Sequence, residues 1–475
     1  MLAFVMTIVI AAPWIVNLLR HARRSLDLAQ RRETISQSFV WTTQFNSLST
    51  VEPSATRFLA YIPHSGFHNQ RIELENAIVL AKLLNRTLVL PLARLGSHPL
   101  TYKPFDELLE NYGHSDKARL SHCRHEDTSF NSTVKECRKF ERYTHVSWQD
   151  IIDLQRVMGL GVGIVERWDF TPRYLQDTLG VGDGDTFWLK DSSAYHFQFH
   201  DALKGRKGGG KFHTYISIPD FAVSSERYRL VHLGTLFGTS RLSLTSRSND
   251  QLLRKVRAAM RLANARLDSL AHTVTARMGG TDTYHAIHFR SGDGIFAERA
   301  RYTAQVILAN VLRHAYGVDI FSRDAFKELG LNTSVQAFQR IVLSGSLPLR
   351  RPKKIFPRRL CVRSGRTREG WQVSLSTPLF IATDAYNPRT HALLEAYRRI
   401  FPCIAFLSDF PDVAEELEEL VNPLDGSPMA RFFLPFLDAT ILSRAASFVG
   451  TPESTFSKYV KEVLWPLEHN LIVDT

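Results

Sequence analysis

The segment HAIHFRSGDG (285–294) sets His288 and Arg290 two residues apart in a run that is otherwise apolar. Residues 284–290 read as a buried strand, in which alternate side chains share a face. Ile287 and Phe289 therefore point one way, His288 and Arg290 the other. An arginine cannot discharge itself to enter a core, so here it calls for an anion. The Gly292-Asp293-Gly294 turn ends the strand just beyond.

TPESTFS (451–457) offers a second anion-binding feature. Ser454 is placed to cap a helix, and Ser454, Thr455 and Phe456 present free backbone N–H groups at its start. Alone, that pattern is an ordinary helix cap. Asp384, at the end of the strand in FIATDA, is a third polar group at a strand tip. All three fall at predicted C-terminal strand ends of one α/β stretch, where parallel sheets bind ligands. An arginine and a helix start fit a diphosphate. An aspartate beside them fits the donors of a ribose or a base. No DxD turn accompanies them, so charge neutralisation falls to Arg290. The expected ligand is a nucleotide diphosphate held without a metal.

Three other patterns carry less. GRKGGGKF (205–212) nearly matches a phosphate loop, but Phe212 stands where a hydroxyl is needed and a strand follows instead of a helix. GVGDGD (180–185) lacks the ligand spacing of a calcium loop and reads as a turn. HFQFH (196–200) spaces two histidines by four without a clear helix, a poor metal pattern.

The elements that must position the site are legible at both ends of the chain. Residues 57–91 read as strand, glycine turn and helix, with Leu74, Ala77, Ile78, Ala81 and Leu84 on one face, then strand. That βαβ unit implies a parallel sheet, with Gly66, Asn69 and Gln70 at its ligand-binding end. Glu73 and Glu75 fall within its helix and are expected at the surface or beside the cap. Residues 252–278 read as one long amphipathic helix joining two domains. Residues 378–410 form another βαβ unit, with Asn387 as N-cap and Pro388 at the first helical position. Residues 436–464 read helix, short strand 447–450, turn, helix. Between 95 and 280 the pattern is less legible. The fold class is α/β, as two domains facing each other across a cleft.

The 475 residues suit two domains, and a 44% apolar content describes a globular chain. The net charge is +12, but nine Lys/Arg and no acid lie in 350–368, and the rest carries +3. That segment, with two prolines, reads as a loop, so no nucleic-acid partner is expected. Four cysteines permit two disulfides, and Cys123 with Cys137 flanks a loop that a bridge could close. Residues 2–19 are an apolar run long enough for a tilted membrane span, followed by Arg20, Arg23 and Arg24. This gives an anchor or signal over 1–24 and a stem over 25–56. Sequons at Asn85, Asn131 and Asn332 suit a lumenal body, with Asn131 and Asn332 as glycosylation candidates. The charges after the run favour a cytoplasmic one.

IPHSGFHNQRIELENAIVLAKLLNRTLVLP, HAIHFRSGDG, FIATDA and DATILSRAASFVGTPESTFSKYV together resemble the GDP-fucose protein O-fucosyltransferase-like family, in a fungal-type form, over 57–91 and 284–464. The resemblance implies a GT-B-type pair of Rossmann-like domains, 57–265 on the acceptor side and 266–475 on the donor side. It implies metal-independent, inverting transfer of fucose from GDP-fucose to a protein or glycan hydroxyl, in the Golgi or endoplasmic reticulum. By matching positions, Arg290 would bind the β-phosphate and stabilise the leaving GDP, and His288 would shape the sugar site. Asp384 would contact the nucleoside, and Ser454, Thr455 and Phe456 the diphosphate and guanine. Gly66 and Asn69 would form the acceptor-side turn. One branch of the family has an acidic residue in that turn, whereas residues 63–68 here hold no carboxylate. A dissociative reaction led by Arg290, a distant base, and a GDP-sugar-binding pseudoenzyme or lectin-like module all remain open. So does another nucleotide sugar.

Overall fold

The computed structural model describes residues 56–117, 119–124, 135–171, 173–201, 210–317 and 375–471. The N-terminal apolar run, the stem up to residue 55, Asn131, Asn332 and the basic segment with Cys361 lie outside them. Among the described residues no helix is long and apolar enough to cross a membrane. Cys123 and Cys137 are joined by a disulfide, and Asn85 is an exposed turn residue.

The chain is a mixed α/β structure with several parallel sheets. Its first half supplies β1 (Phe58–Ala60), β2 (Thr87–Pro91), β3 (Ala93–Gly96), β4 (Tyr143–Val146), β5 (Ile164–Arg167), β6 (Thr186–Leu189), β7 (Phe197–His200), β8 (Thr214–Ser217), β9 (Leu230–Leu233) and β10 (Leu242–Ser243). Five of these make a parallel sheet in the order β5-β2-β1-β9-β6, and β10-β7-β8 make a smaller parallel one. The second half supplies β11 (His285–Phe289), β12 (Leu379–Thr383), β13 (Ile404–Ala405) and β14 (Ser447–Gly450), parallel in the order β13-β12-β11-β14. Covered on both faces, these strands are near-continuous apolar runs such as LVHL and LFIAT.

The alternation of β11 decides where its polar side chains go. Ile287 and Phe289 join a core with Leu379, Ile381 and Val449 on the outer face of the second sheet. Ala286 instead belongs to a core that also holds Leu59, Leu88 and Val231 of the first sheet. His288, two residues on from Ala286, therefore faces the other half of the molecule, and Arg290 follows at the strand's end.

Helix α1 (Phe67–Leu83) crosses this shared core and is buried throughout from Gln70 to Ala81. Surface or cap-adjacent places for Glu73 and Glu75 are thus corrected: both carboxyls are enclosed and paired. Glu73 accepts the His64 N–H (3.2 Å) and the Thr235 hydroxyl (3.1 Å), while Glu75 meets Arg71 and Arg257. The single helix expected over 252–278 is two, α2 (Arg247–Ala259) and α3 (Ala265–Arg277). A bridge between Leu262 and Ile152 pulls the chain out of helix, and Asn264 recaps it by accepting from Arg266 and Leu267. Asn387 does not cap a helix with its side chain. It is left-handed (φ 48°), a conformation Asn tolerates, and helix begins later, at Ala392–Leu394 and Glu395–Ile400. Beyond β11 the chain forms α4 (Gly294–Glu298) and α5 (Ala300–Asn310). Later come α6 (Ala430–Ser443) and, after β14, α7 (Thr455–Tyr459).

Candidate nucleotide site

A cavity of about 620 Å³ opens between the two halves. Phe67 and His68 at the start of α1, with the end of β3, form one wall. The strand ends of β11 and β12, the apolar face of α6 and Phe456 of α7 form the other. Arg142 and Arg431, one from each half, are exposed cations that also line it.

Arg290 stands at the tip of β11. Its backbone N–H donates to Thr451 Oγ1 (2.9 Å), and that hydroxyl donates to the His288 carbonyl (2.9 Å). The guanidinium lies over the Phe296 ring, 4.5 Å from its centroid. Nε and Nη2 donate to Asp293 at 2.9–3.1 Å. Nη1 has no partner among the described residues, so one edge of the fork is open.

His288 is buried beneath it. Its Nδ1 lies 2.7 Å from the Ser457 hydroxyl, and its ring packs 4.3 Å from Phe456. Burial, and then the charge of Arg290, push its pKa down to about 3, so the imidazole is neutral. Ser454 caps α7 by accepting the Ser457 N–H (3.3 Å). Gly450 permits the approach of this helix to β14, because a Cβ there would lie 2.5 Å from the Ser457 Cβ.

Asp384 reaches the cavity, but its oxygens are engaged. They accept from the Ser291 N–H (2.7 Å), the Ser291 hydroxyl (3.1 Å) and the Gly292 N–H (3.1 Å), fixing the turn behind Arg290. A Cβ at Gly292 would sit 2.9 Å from Asp384 Oδ2, so a larger residue there would displace this carboxylate. Gly66 caps α1 without a side chain, its carbonyl accepting from the Asn69 and Gln70 N–H groups. Of that turn, the cavity is lined by Phe67 and His68, not by Gly66 and Asn69.

Two site residues escaped the sequence reading. His68 places an enclosed, unpartnered Nδ1 beside the cavity, and burial, Arg71, His288 and Arg290 hold its pKa well below the usual value. Asp438, on the apolar face of α6, has an Oδ1 with no hydrogen-bond partner, and burial raises its pKa to about 8. A lone acid amid FFLPFLDATIL was the available signal.

A second cavity, about 570 Å³, lies on the other side of α7. Of the helix start expected at the diphosphate, only Phe456 lines the first cavity, while Ser454 and Thr455 line this one. Its buried cation Arg71 is already paired with Glu75, as is Arg257 (3.3 Å). Arg290, with Nη1 unpaired, and Asp438, with an enclosed Oδ1 that has no partner, both line the first cavity, which is the better site.

No protein-family model matches the chain. A 35-residue stretch is 57% identical to O-fucosyltransferase 30 of Arabidopsis thaliana, spanning 7% of this chain and 7% of that protein. Among solved structures, POFUT1 in complex with GDP-fucose aligns over 87% of this chain and 94% of its own, at 12% identity and a TM-score of 0.37. POFUT1 in complex with GDP aligns over 88% and 96%, at 12% identity and a TM-score of 0.38.

Proposed function

We propose that the chain is an inverting glycosyltransferase whose cavity binds a purine nucleoside diphosphate sugar, GDP-fucose being the donor that the sequence resemblance and the local match to a plant O-fucosyltransferase favour. The carrying observation is the convergence of Arg290's open Nη1 edge, Phe456 of α7 and the unpaired Asp438 on one cavity. The diphosphate would lie between Arg290 and the first N–H groups of α7, with no metal needed for its charge. Asp438, neutral in the empty cleft, would ionise against the two N–H donors on the guanine edge, which a carboxylate matches. Asp384 would act through the 291–292 turn.

In the reaction the bond from the anomeric carbon to the β-phosphate oxygen breaks, and GDP leaves with that electron pair. The acceptor oxygen then bonds to the opposite face of the carbon, and its proton passes to solvent. Arg290 meets the charge growing on the leaving group. Such a dissociative course needs no carboxylate in the 63–68 turn.

Arg290→Ala should lower transfer on the order of 100- to 1000-fold, with circular dichroism and melting unchanged. Arg290→Lys should fail as well, because it cannot present the same planar fork. Full activity in Arg290→Ala would reject the reading. A binding-only function is favoured by one observation, the absence of a carboxylate from that turn. Release of free GDP from GDP-fucose by the purified chain would exclude it.

A further inference from the structure

Arg290 already holds an anion. Asp293 takes its Nε and Nη2 in a side-on fork at 2.9–3.1 Å, the geometry a phosphate would adopt. The pair is shallow, with side chains 32% and 66% exposed. Asp293 also has a second home within reach. It is the N-cap residue of α4, yet its side chain makes no capping bond, and the Ile295 N–H at the second helical position has no partner among the described residues. An aspartate at that position ordinarily accepts such an N–H. One carboxylate therefore has two alternative partners, the guanidinium it holds and the helix start whose N-cap position it occupies.

We propose that Asp293 is a built-in competitor for the diphosphate: it neutralises Arg290 through the Nε–Nη2 edge in the empty cleft, and turns to cap α4 when a phosphate entering at the open Nη1 side takes over the guanidinium's charge. This rests on the nucleotide-binding reading above. Exposed ion pairs and N-caps contribute similar, small free energies, so the exchange is nearly balanced and an incoming dianion tips it. After transfer, the returning carboxylate helps displace the product diphosphate. Asp293 thus sets donor affinity and product release, while Arg290 performs the chemistry.

The test is calorimetric titration of the full chain, wild type, Asp293→Asn and Asp293→Ser, with GDP and separately with inorganic pyrophosphate. Both variants keep a side chain able to cap α4 and lose the competing charge. Each should bind both probes about threefold to fivefold more tightly than wild type. If wild type binds GDP and both variants bind it equally or more weakly, the competitor role is overturned and the nucleotide reading stands. Tighter pyrophosphate binding by the variants, with no GDP binding by any of the three, supports the competitor and sinks the nucleotide reading. No binding of either probe to any of them sinks both.

Discussion

Asp438 carries the cleft's clearest conflict between stability and binding. Its carboxyl is raised from 3.8 to about 8 by burial, so between those values the folded chain holds a proton that the unfolded chain releases. The stability tied to that proton is fully present below 3.8 and is lost as pH rises towards 8. Asp438→Asn stays neutral in both states, so it should raise the melting temperature at pH 8 and leave it unchanged at pH 3.5. The same change should weaken GDP binding about tenfold, because the amide offers the guanine edge one acceptor and one donor. A variant that gains stability at pH 8 and keeps full GDP affinity would remove Asp438 from the base-binding role. At this scale the sequence was legible where polarity interrupted a pattern. His288 and Arg290 stood out within a strand, and Ser454 stood out at a helix start. Asp384 stands out for the same reason, but its hydrogen bonds to Ser291 and Gly292 depend on two loops meeting, which spacing along one chain does not encode.

Helix α7 is short, yet its start faces the ligand cavity through Phe456 and is fixed by the Ser454 cap. Its N–H groups would meet the diphosphate in ground and transition states alike, so weakening them should alter binding more than turnover. Thr455→Pro removes one such N–H at a first helical position, where proline is tolerated. The Michaelis constant for the nucleotide sugar should rise with a smaller change in turnover number, and GDP should weaken in parallel. Unchanged GDP affinity in a folded variant would leave Ser454 as a cap and nothing more. The elements around this helix were readable because their apolar runs and caps are local: β1, α1, β2, β11, β12 and β14 all lie where periodicity put them. The break between α2 and α3 was not, because it is imposed by Ile152, over a hundred residues away in sequence. Asn387 misled for the opposite reason, since a good capping residue is also a good left-handed one.

The whole molecule is tied together across the cleft by more than one shared apolar core. Lys117 is buried against Asp425 (3.1 Å), and its ammonium lies 3.8 Å from the Phe140 ring centroid. Asp425 also accepts the Thr144 hydroxyl (2.7 Å), and Asn422 donates to Thr144 and to the His145 carbonyl. These contacts join the region least legible in sequence to the loop before α6, the helix that carries Asp438. Burial lowers the Lys117 pKa, and Asp425 opposes that shift. Asp425→Ala would leave the lysine buried without its counter-charge, which typically costs about 3–5 kcal/mol. Urea unfolding should register that loss. Adding Lys117→Met should recover most of it, because an apolar pair of similar volume replaces a buried ion pair at little cost. The Arg290 contacts remain intact in both variants, so the double variant should bind GDP as wild type does. If it instead regains stability while GDP affinity stays low, the Lys117–Asp425 pair sets the spacing of the cleft walls in addition to holding the halves together.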